Sequence, residues 1–292
     1  MTGINNNGLD QFYTNQKYAK CCYTTIIKKI PNFDSFDIEL EPSAGNGSFY
    51  NLMSPSKKLG LDLDPKCKGV IKRDFFEYTP PSSKRIITIG NPPFGRNASL
   101  AVKFFNHAAS FSEAIAFIVP KSFKKGSIQN KLDLNFHLKY EKDCPEKSFV
   151  VNDNDEYDVP CVFQIWTRED IRRNKKVLSQ QIIDWMNERF EFVKKNDGDI
   201  AFRRVGGNAG KCTADYSELL IAKETTNYFI KIEDGVSDIL GLPKVKAVNQ
   251  ITRNMNTLDF ESVRNSTAGP RSISQQEFIT ACYESRNGIF EP

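Results

Sequence analysis

Two unbroken apolar runs, "RIITI" at residues 85–89 and "AIAFIVP" at 114–120, limit most sharply what this chain can fold into. Neither alternates polar with apolar residues, so both read as strands buried on two faces. Between them, from about Ala98 to Phe111, Leu100, Val102, Phe104, Phe105 and Ala108 mark an apolar helix side. Strand, helix and strand in that order make a parallel pair with a crossover helix. Shorter strands are expected upstream in "FDIEL", "KKLGLDLDP" and "GVIKRDFFEY", after a helix within Tyr13–Ile30 that Pro31 closes. "NFHLKYEKD", "KSFVV" and "VPCVFQIW" read as antiparallel strands, with "NDNDEYD" as turn material. The fold class is therefore α/β, a Rossmann-like, mostly parallel sheet with antiparallel edge strands and a smaller C-terminal region.

The texture changes near Thr167. "TREDIRRNKK" reads as a charged helix leading into "QQIIDWMNERF", which "KKNDGD" ends, and "SQQEFITACYE" reads as a last helix. The expected organisation is a domain over residues 1–167 and a further region over 168–292. A net charge of +4 is compatible with a polyanionic partner without demanding one. Seven cysteines without a C-x-x-C pair suggest reduced thiols rather than a disulfide framework or a zinc ribbon, and no metal site is expected. No stretch has the length and apolarity of a membrane span, and the N-terminus lacks a leader pattern, so a soluble cytoplasmic protein is expected. With two histidines in the chain, hydrolytic schemes built on a histidine base have few places to sit.

Three loops carry chemistry. In "LEPSAGNGSF" a strand runs into Glu41, Pro42 and a tight turn through Ser43, Gly45 and Gly47, where glycine lets a ligand approach the backbone. Asp62 ends the next strand, where a carboxylate can accept from ribose hydroxyls. The third glycine of a dinucleotide fingerprint is missing, and an acid beside a pyrophosphate is unfavourable, whereas Glu41 suits a cationic ammonium. S-adenosyl-L-methionine fits this pattern better than a nicotinamide dinucleotide; the bland alternative is a glycine turn beside a solvated acid. Asp74 and Phe75 end the third strand, where an acid can accept from an adenine amine and a ring can cover the base. In "IGNPPFG" the strand must stop, because Pro92 and Pro93 fix φ and lack N–H groups. What remains is a stiff turn that presents the Asn91 amide and the Phe94 ring.

In the order "EPSAGNG", "GLDLDP", "RDFF", "GNPPFG", the chain resembles class I S-adenosylmethionine-dependent methyltransferases, especially the adenine-N6 DNA methyltransferases whose glycine loop precedes an N-P-P-F loop. "QFYTNQKYA" looks like the N-terminal element of those enzymes that closes over the donor, which puts Tyr13 and Thr14 among the donor-binding candidates. The resemblance runs from about Phe12 to Trp166. It implies that Asn91, Pro92, Pro93 and Phe94 form the catalytic loop and that a target base flips into it. A nucleic acid is the implied partner, with DNA preferred. The same loop serves any planar amino group, so RNA methylated at adenine N6 or guanine N2 is an alternative, and an inactive nucleic-acid-binding subunit is another. Lys121, Phe123 and Lys124 are candidates for holding or wedging nucleic acid past the "FIVP" strand, and Arg203 and Arg204 of "FRRVGGNAGK" for meeting a phosphate backbone. That last run and "NSTAGPRSIS" mark residues 168–292 as a candidate target-recognition region.

Overall fold

The computed structural model describes residues 13–81, 83–151, 155–157, 159–260 and 272–290. The chain divides into two compact units, residues 1–176 and 177–292.

The first unit opens with β1 (Tyr13–Thr14) and helix α1 (Gln16–Lys29), whose start is capped by the Asn15 side chain accepting from the Lys17 N–H. It continues through β2 (Ile38–Glu41), β3 (Lys58–Asp62), β4 (Ile71–Lys72), β5 (Ile86–Gly90), α2 (Ser99–Ala109), β6 (Ala114–Pro120), α3 (Gly126–Gln129), β7 (Phe136–Asp143), β8 (Phe149–Val151), β9 (Asp155–Tyr157) and β10 (Cys161–Arg168). Seven strands form one sheet in the order β4-β3-β2-β5-β6-β10-β7. From β4 to β6 the pairs are parallel, and β10 runs against both β6 and β7. The fold class is thus the Rossmann-like α/β sheet expected, with one antiparallel strand inserted beside the β7 edge.

The apolar runs are explained by burial on both faces. Ile86, Ile115, Phe117 and Val119 join Ala101, Phe104, Phe105 and Ala108 of α2 on one side. Ile87, Ile89, Ala116 and Ile118 join Ala19, Cys22 and Ile26 of α1 on the other. Every residue of β5 and β6 is buried, and each large apolar side chain so placed contributes about 1.5–3 kcal/mol. β1, β8 and β9 form a separate small antiparallel sheet. Asp155–Tyr157, expected as turn material, is therefore a strand, because its backbone pairs with Phe149–Val151.

The expected helix over "TREDIRRNKK" is absent. Its backbone donors are spent on the β7 side of the same unit: Glu169 N–H donates to Asn135 O at 2.8 Å and Arg173 N–H to Leu134 O at 2.9 Å. The Arg173 guanidinium also donates to Phe136 O at 2.9 Å. These bonds replace the i→i−4 ladder a helix would need.

The second unit contains α4 (Gln180–Asn187), β11 (Phe190–Val193), β12 (Ile200–Arg203), β13 (Cys212–Thr213), α5 (Tyr216–Ile221), β14 (Asn227–Ile232), α6 (Asp234–Leu240), α7 (Lys244–Met255) and helices Gln275–Glu284 and Arg286–Ile289. Its antiparallel sheet has the order β11-β14-β12-β13, over a core that includes Phe190, Phe202, Ile230 and Phe278. The helix expected through "QQIIDWMNERF" stops at Asn187, because the period-two run Phe190–Val193 pairs with β14 instead. Helix Gln275–Glu284 begins with a capping box between Ser274 and Glu277. Among the described residues no helix is long and apolar enough to cross a membrane.

Candidate active site

β2 is central to the first sheet, with β3 on one side and β5 on the other, so the loops leaving its C-terminal end diverge there. A crevice at such a point is where open α/β sheets bind ligands. The loop after β2 turns back through Gly45, whose φ of +48° lies in the left-handed region. Gly45 N–H donates to Asp62 Oδ2 at 2.7 Å, and Asp64 N–H donates to Asp62 Oδ1 at 2.8 Å. The carboxylate is thereby fixed at the end of β3 while keeping lone pairs on both oxygens. Tyr13, held by the pairing of β1 with β8, lies against the turn, and a Cβ at position 45 would fall 2.7 Å from its Cε1. Glycine here is a cradle that any side chain would fill.

The loop after β5 is fixed from two directions. Ser43 Oγ donates to the Asn91 carbonyl at 3.2 Å, which ties it to the glycine turn. The Phe94 carbonyl accepts from Leu100 N–H at 3.1 Å and Ala101 N–H at 3.2 Å, which stitches it to the first turn of α2. Pro92 is buried, and Phe94 is half-buried against the cores on both faces of the sheet. Asn91, Pro92, Pro93 and Phe94 share a cavity of about 320 Å³ with Tyr13, Pro42, Ser43, Gly45, Asp62, Asp74 and Phe75. That volume is at the lower end of the range for small-molecule sites.

Three candidates for donor binding lie outside the cavity wall. Thr14 is buried, and its carbonyl accepts from Ser48 Oγ at 2.7 Å. Gly47 packs against Cys67 and Asn51. Glu41 is 2% exposed, and its Oε2 accepts from Tyr50 N–H at 2.6 Å. Burial pushes the Glu41 carboxyl well above the usual carboxylate range, and the Asp62 charge adds to this, while the N–H groups of Tyr50 and Phe49 pull the other way.

Asp74 caps a short 3₁₀ turn, its Oδ1 accepting from Phe76 N–H at 2.9 Å. Phe75 is 2% exposed and stacks on Phe104 at 5.1 Å, whereas the next ring, Phe76, is 40% exposed and also faces the cavity. Phe75 and Phe76 both line the cavity, and Phe76 presents the more exposed ring. Sequence reasoning also missed Leu63, Asp64, Arg73, Leu100 and Phe104 of the wall. Leu63 had a usable signal, an apolar side chain directly after Asp62 at a strand end.

The nucleic-acid candidates fare differently. Phe123 is fully buried in the core of the first unit, so it cannot stack or wedge from this position. Lys121 pairs with Asp143 at 3.2 Å, and Lys124 pairs with the same carboxylate and with Glu141 at 3.9 Å, so both cations are engaged by two acids of β7. In the second unit Arg203 donates from Nε to Val205 O at 3.0 Å and from Nη1 to Thr226 Oγ1 at 3.2 Å. Arg204 donates to Thr225 O at 3.1 Å and lies over the Tyr228 ring. Both arginines tie the end of β12 to the segment at the start of β14. Most of "NSTAGPRSIS" lies outside the described residues. Among the described residues no group of three or more potential metal ligands occurs.

No family model matches the chain, and no curated protein matches it. Solved structures do. A candidate RNA methyltransferase from Pyrococcus horikoshii is 16% identical with a TM-score of 0.42, over 55% of this chain and 88% of that one. A candidate class I S-adenosylmethionine-dependent methyltransferase from Listeria monocytogenes is 15% identical with a TM-score of 0.43, over 60% and 66%. The 23S rRNA methyltransferase ErmE is 13% identical with a TM-score of 0.40, over 60% and 75%.

Proposed function

We propose that this chain is an S-adenosylmethionine-dependent methyltransferase acting on the exocyclic N6 amine of adenine in DNA. The observation that carries the reading is one shared cavity: the Asn91-Pro92-Pro93-Phe94 turn at the end of β5 faces the Gly45 turn and Asp62 at the ends of β2 and β3. The residues present fit the donor, since Gly45 leaves the cradle open and Asp62 retains acceptor capacity for ribose hydroxyls. Asp74 and Phe76 supply an acceptor and a ring for an adenine. When bound, the donor supplies an electrophilic methyl group on a sulfonium.

The remaining chemistry belongs to the chain. An aromatic amine is a poor nucleophile because its lone pair is delocalised into the ring. The Asn91 side-chain oxygen and the Pro92 carbonyl each accept one amine hydrogen, which draws the nitrogen toward tetrahedral geometry and frees the lone pair. The two prolines and the bonds from Ser43, Leu100 and Ala101 hold those acceptors still, so little reorganisation is needed at reaction. Phe94 offers an apolar face to a flipped base. The amine turns acidic on methylation and releases its proton to water without a dedicated base.

The test is incubation with labelled S-adenosylmethionine and separate DNA, RNA and protein pools, with Asn91→Ala alongside. Label at adenine N6 of DNA that vanishes in Asn91→Ala, with donor binding by calorimetry retained, is the expected result. Label in RNA alone replaces DNA as the substrate. No label together with no donor binding overturns the enzyme reading.

A further inference from the structure

We infer that the outward face of α7 is a surface that reads the major groove of B-form DNA. The inference rests on the proposed function for the polymer and goes beyond it in naming the surface and its mode of contact. Ala247, Val248, Ile251, Thr252 and Met255 are buried, which fixes the helix's rotation about its own axis. The opposite side presents Val245, Lys246, Asn249 and Arg253, all exposed, with Gln250 half-exposed beside them.

The chemistry of that side is unusual for this unit. Solvated helix faces ordinarily mix charge signs. Of the helices longer than one turn in this unit, α4, α5, α6 and Gln275–Glu284 each carry a carboxylate, namely Asp184, Glu218, Asp234 and Glu277 respectively, whereas the twelve residues of α7 contain none; the four-residue helix Arg286–Ile289 also lacks one. Lys244, at its start, is engaged with Asp234 at 2.8 Å. Among the described residues no ion pair engages Lys246 or Arg253, in contrast to the paired Lys121 and Lys124.

The residue types match a duplex. Arginine reads guanine bidentately, asparagine and glutamine read adenine, an apolar side chain meets the thymine methyl, and lysine meets phosphate. A helix of this length spans about 18 Å and has the width of a B-DNA major groove, about 12 Å. The major groove of A-form RNA is too deep and narrow for such a helix, so the surface favours DNA.

The experiment uses the full chain. A random-sequence DNA duplex library is selected for binding and sequenced, and affinities for the selected duplex and for an RNA duplex of the same sequence are read by fluorescence anisotropy over a salt series. Lys246→Ala is expected to weaken all DNA duplexes evenly and lower the salt slope by about 1. Asn249→Ala and Arg253→Ala are expected to cut the preference for the selected duplex about tenfold or more. Arg253→Lys should keep the non-selective affinity and lose the preference, and thermal melting checks that each variant stays folded. The inference is overturned if the wild type does not bind duplex DNA, or if affinity and preference are unchanged in Lys246→Ala/Asn249→Ala/Arg253→Ala. Equal binding of the RNA duplex with equal losses in the variants also overturns it. Donor binding is measured separately: a chain that binds no S-adenosylmethionine but loses duplex preference in the α7 variants sinks the methyltransferase reading and leaves this one standing.

Discussion

Among the described residues, two loops that follow strands carry more than one glycine, and of these two the turn after β2 lines the candidate cavity. The turn after β2 carries Gly45 and Gly47; the turn between β12 and β13 carries Gly206, Gly207 and Gly210. The first is approached by groups from other elements: Asp62 from β3, Tyr13 from β1 and Asn91 from the end of β5. The second is a hairpin turn, with Arg203 N–H donating to Lys211 O and Gly210 N–H to Arg203 O, each at 2.7 Å, and its outside contacts are packing partners such as Phe260, 3.2 Å from a Cβ at Gly210. Glycine content is the same kind of signal in both. What differs is topology, since parallel strands diverge at one loop and an antiparallel pair simply reverses at the other.

The largest expected effect of breaking that contrast comes from Gly45→Val. A branched side chain at φ +48° costs about 1–2 kcal/mol in backbone strain, and its Cβ would meet Tyr13 at 2.7 Å. Donor affinity measured by calorimetry should fall at least about a hundredfold, roughly 2.7 kcal/mol or more, while circular dichroism shows the fold retained. Asp62→Asn comes next. It removes the charge and one of two oxygens that fix the turn, so donor affinity should drop about tenfold and stability by about 1 kcal/mol. Unchanged donor affinity in both variants would place the ligand somewhere other than this turn.

Glu41→Gln tests the buried acid behind the same loop. Burial raises the folded-state pKa of Glu41 above its ordinary value of 4.5, so the folded chain binds the proton more tightly than the unfolded chain does. The stability it contributes is fully present below pH 4.5 and is lost as pH rises through the folded value. Glutamine still accepts from the Tyr50 N–H but does not titrate. Denaturant melts from pH 4 to 8 should therefore show a shallower decline in the variant, with stability at neutral pH equal to or above wild type; an identical slope would remove Glu41 from the pH dependence.

The parts of the site legible in sequence were those set by local rules. Two prolines stop β5 wherever they occur, and unbroken apolar runs must be buried on both faces, which is how β5, β6 and α2 appear. Features set by distant partners could not be read. Lys121 and Lys124 look like free cations until β7 brings Asp143 beside them, and Phe123 looks like a wedge until the fold buries it in the core of the first unit. "TREDIRRNKK" has helical composition but gives its N–H groups to carbonyls more than thirty residues earlier. Phe75 and Phe76 are adjacent, and the 3₁₀ turn that Asp74 caps decides which ring enters the core.

The smaller effects lie on the second loop and sharpen the contrast from its other side. Arg203→Ala removes donors to Val205 O and Thr226 Oγ1, so thermal melting should show a loss of about 1–2 kcal/mol with donor affinity unchanged. Gly207→Ala should do least of all. No atom lies within 4 Å of a Cβ built there, and its φ is outside the left-handed range, unlike those of Gly206 and Gly210. Stability should stay within about 0.5 kcal/mol of wild type. At position 45 the same one-carbon change meets both a ring and a strained φ, so Gly45→Ala and Gly207→Ala make the same substitution in two glycine turns that differ in backbone φ and in surroundings. If calorimetry finds donor affinity lost at 45 and kept at 207, topology separates the two loops. Equal losses would mean that the Tyr13 contact and the strained φ at position 45 are not what sets donor affinity.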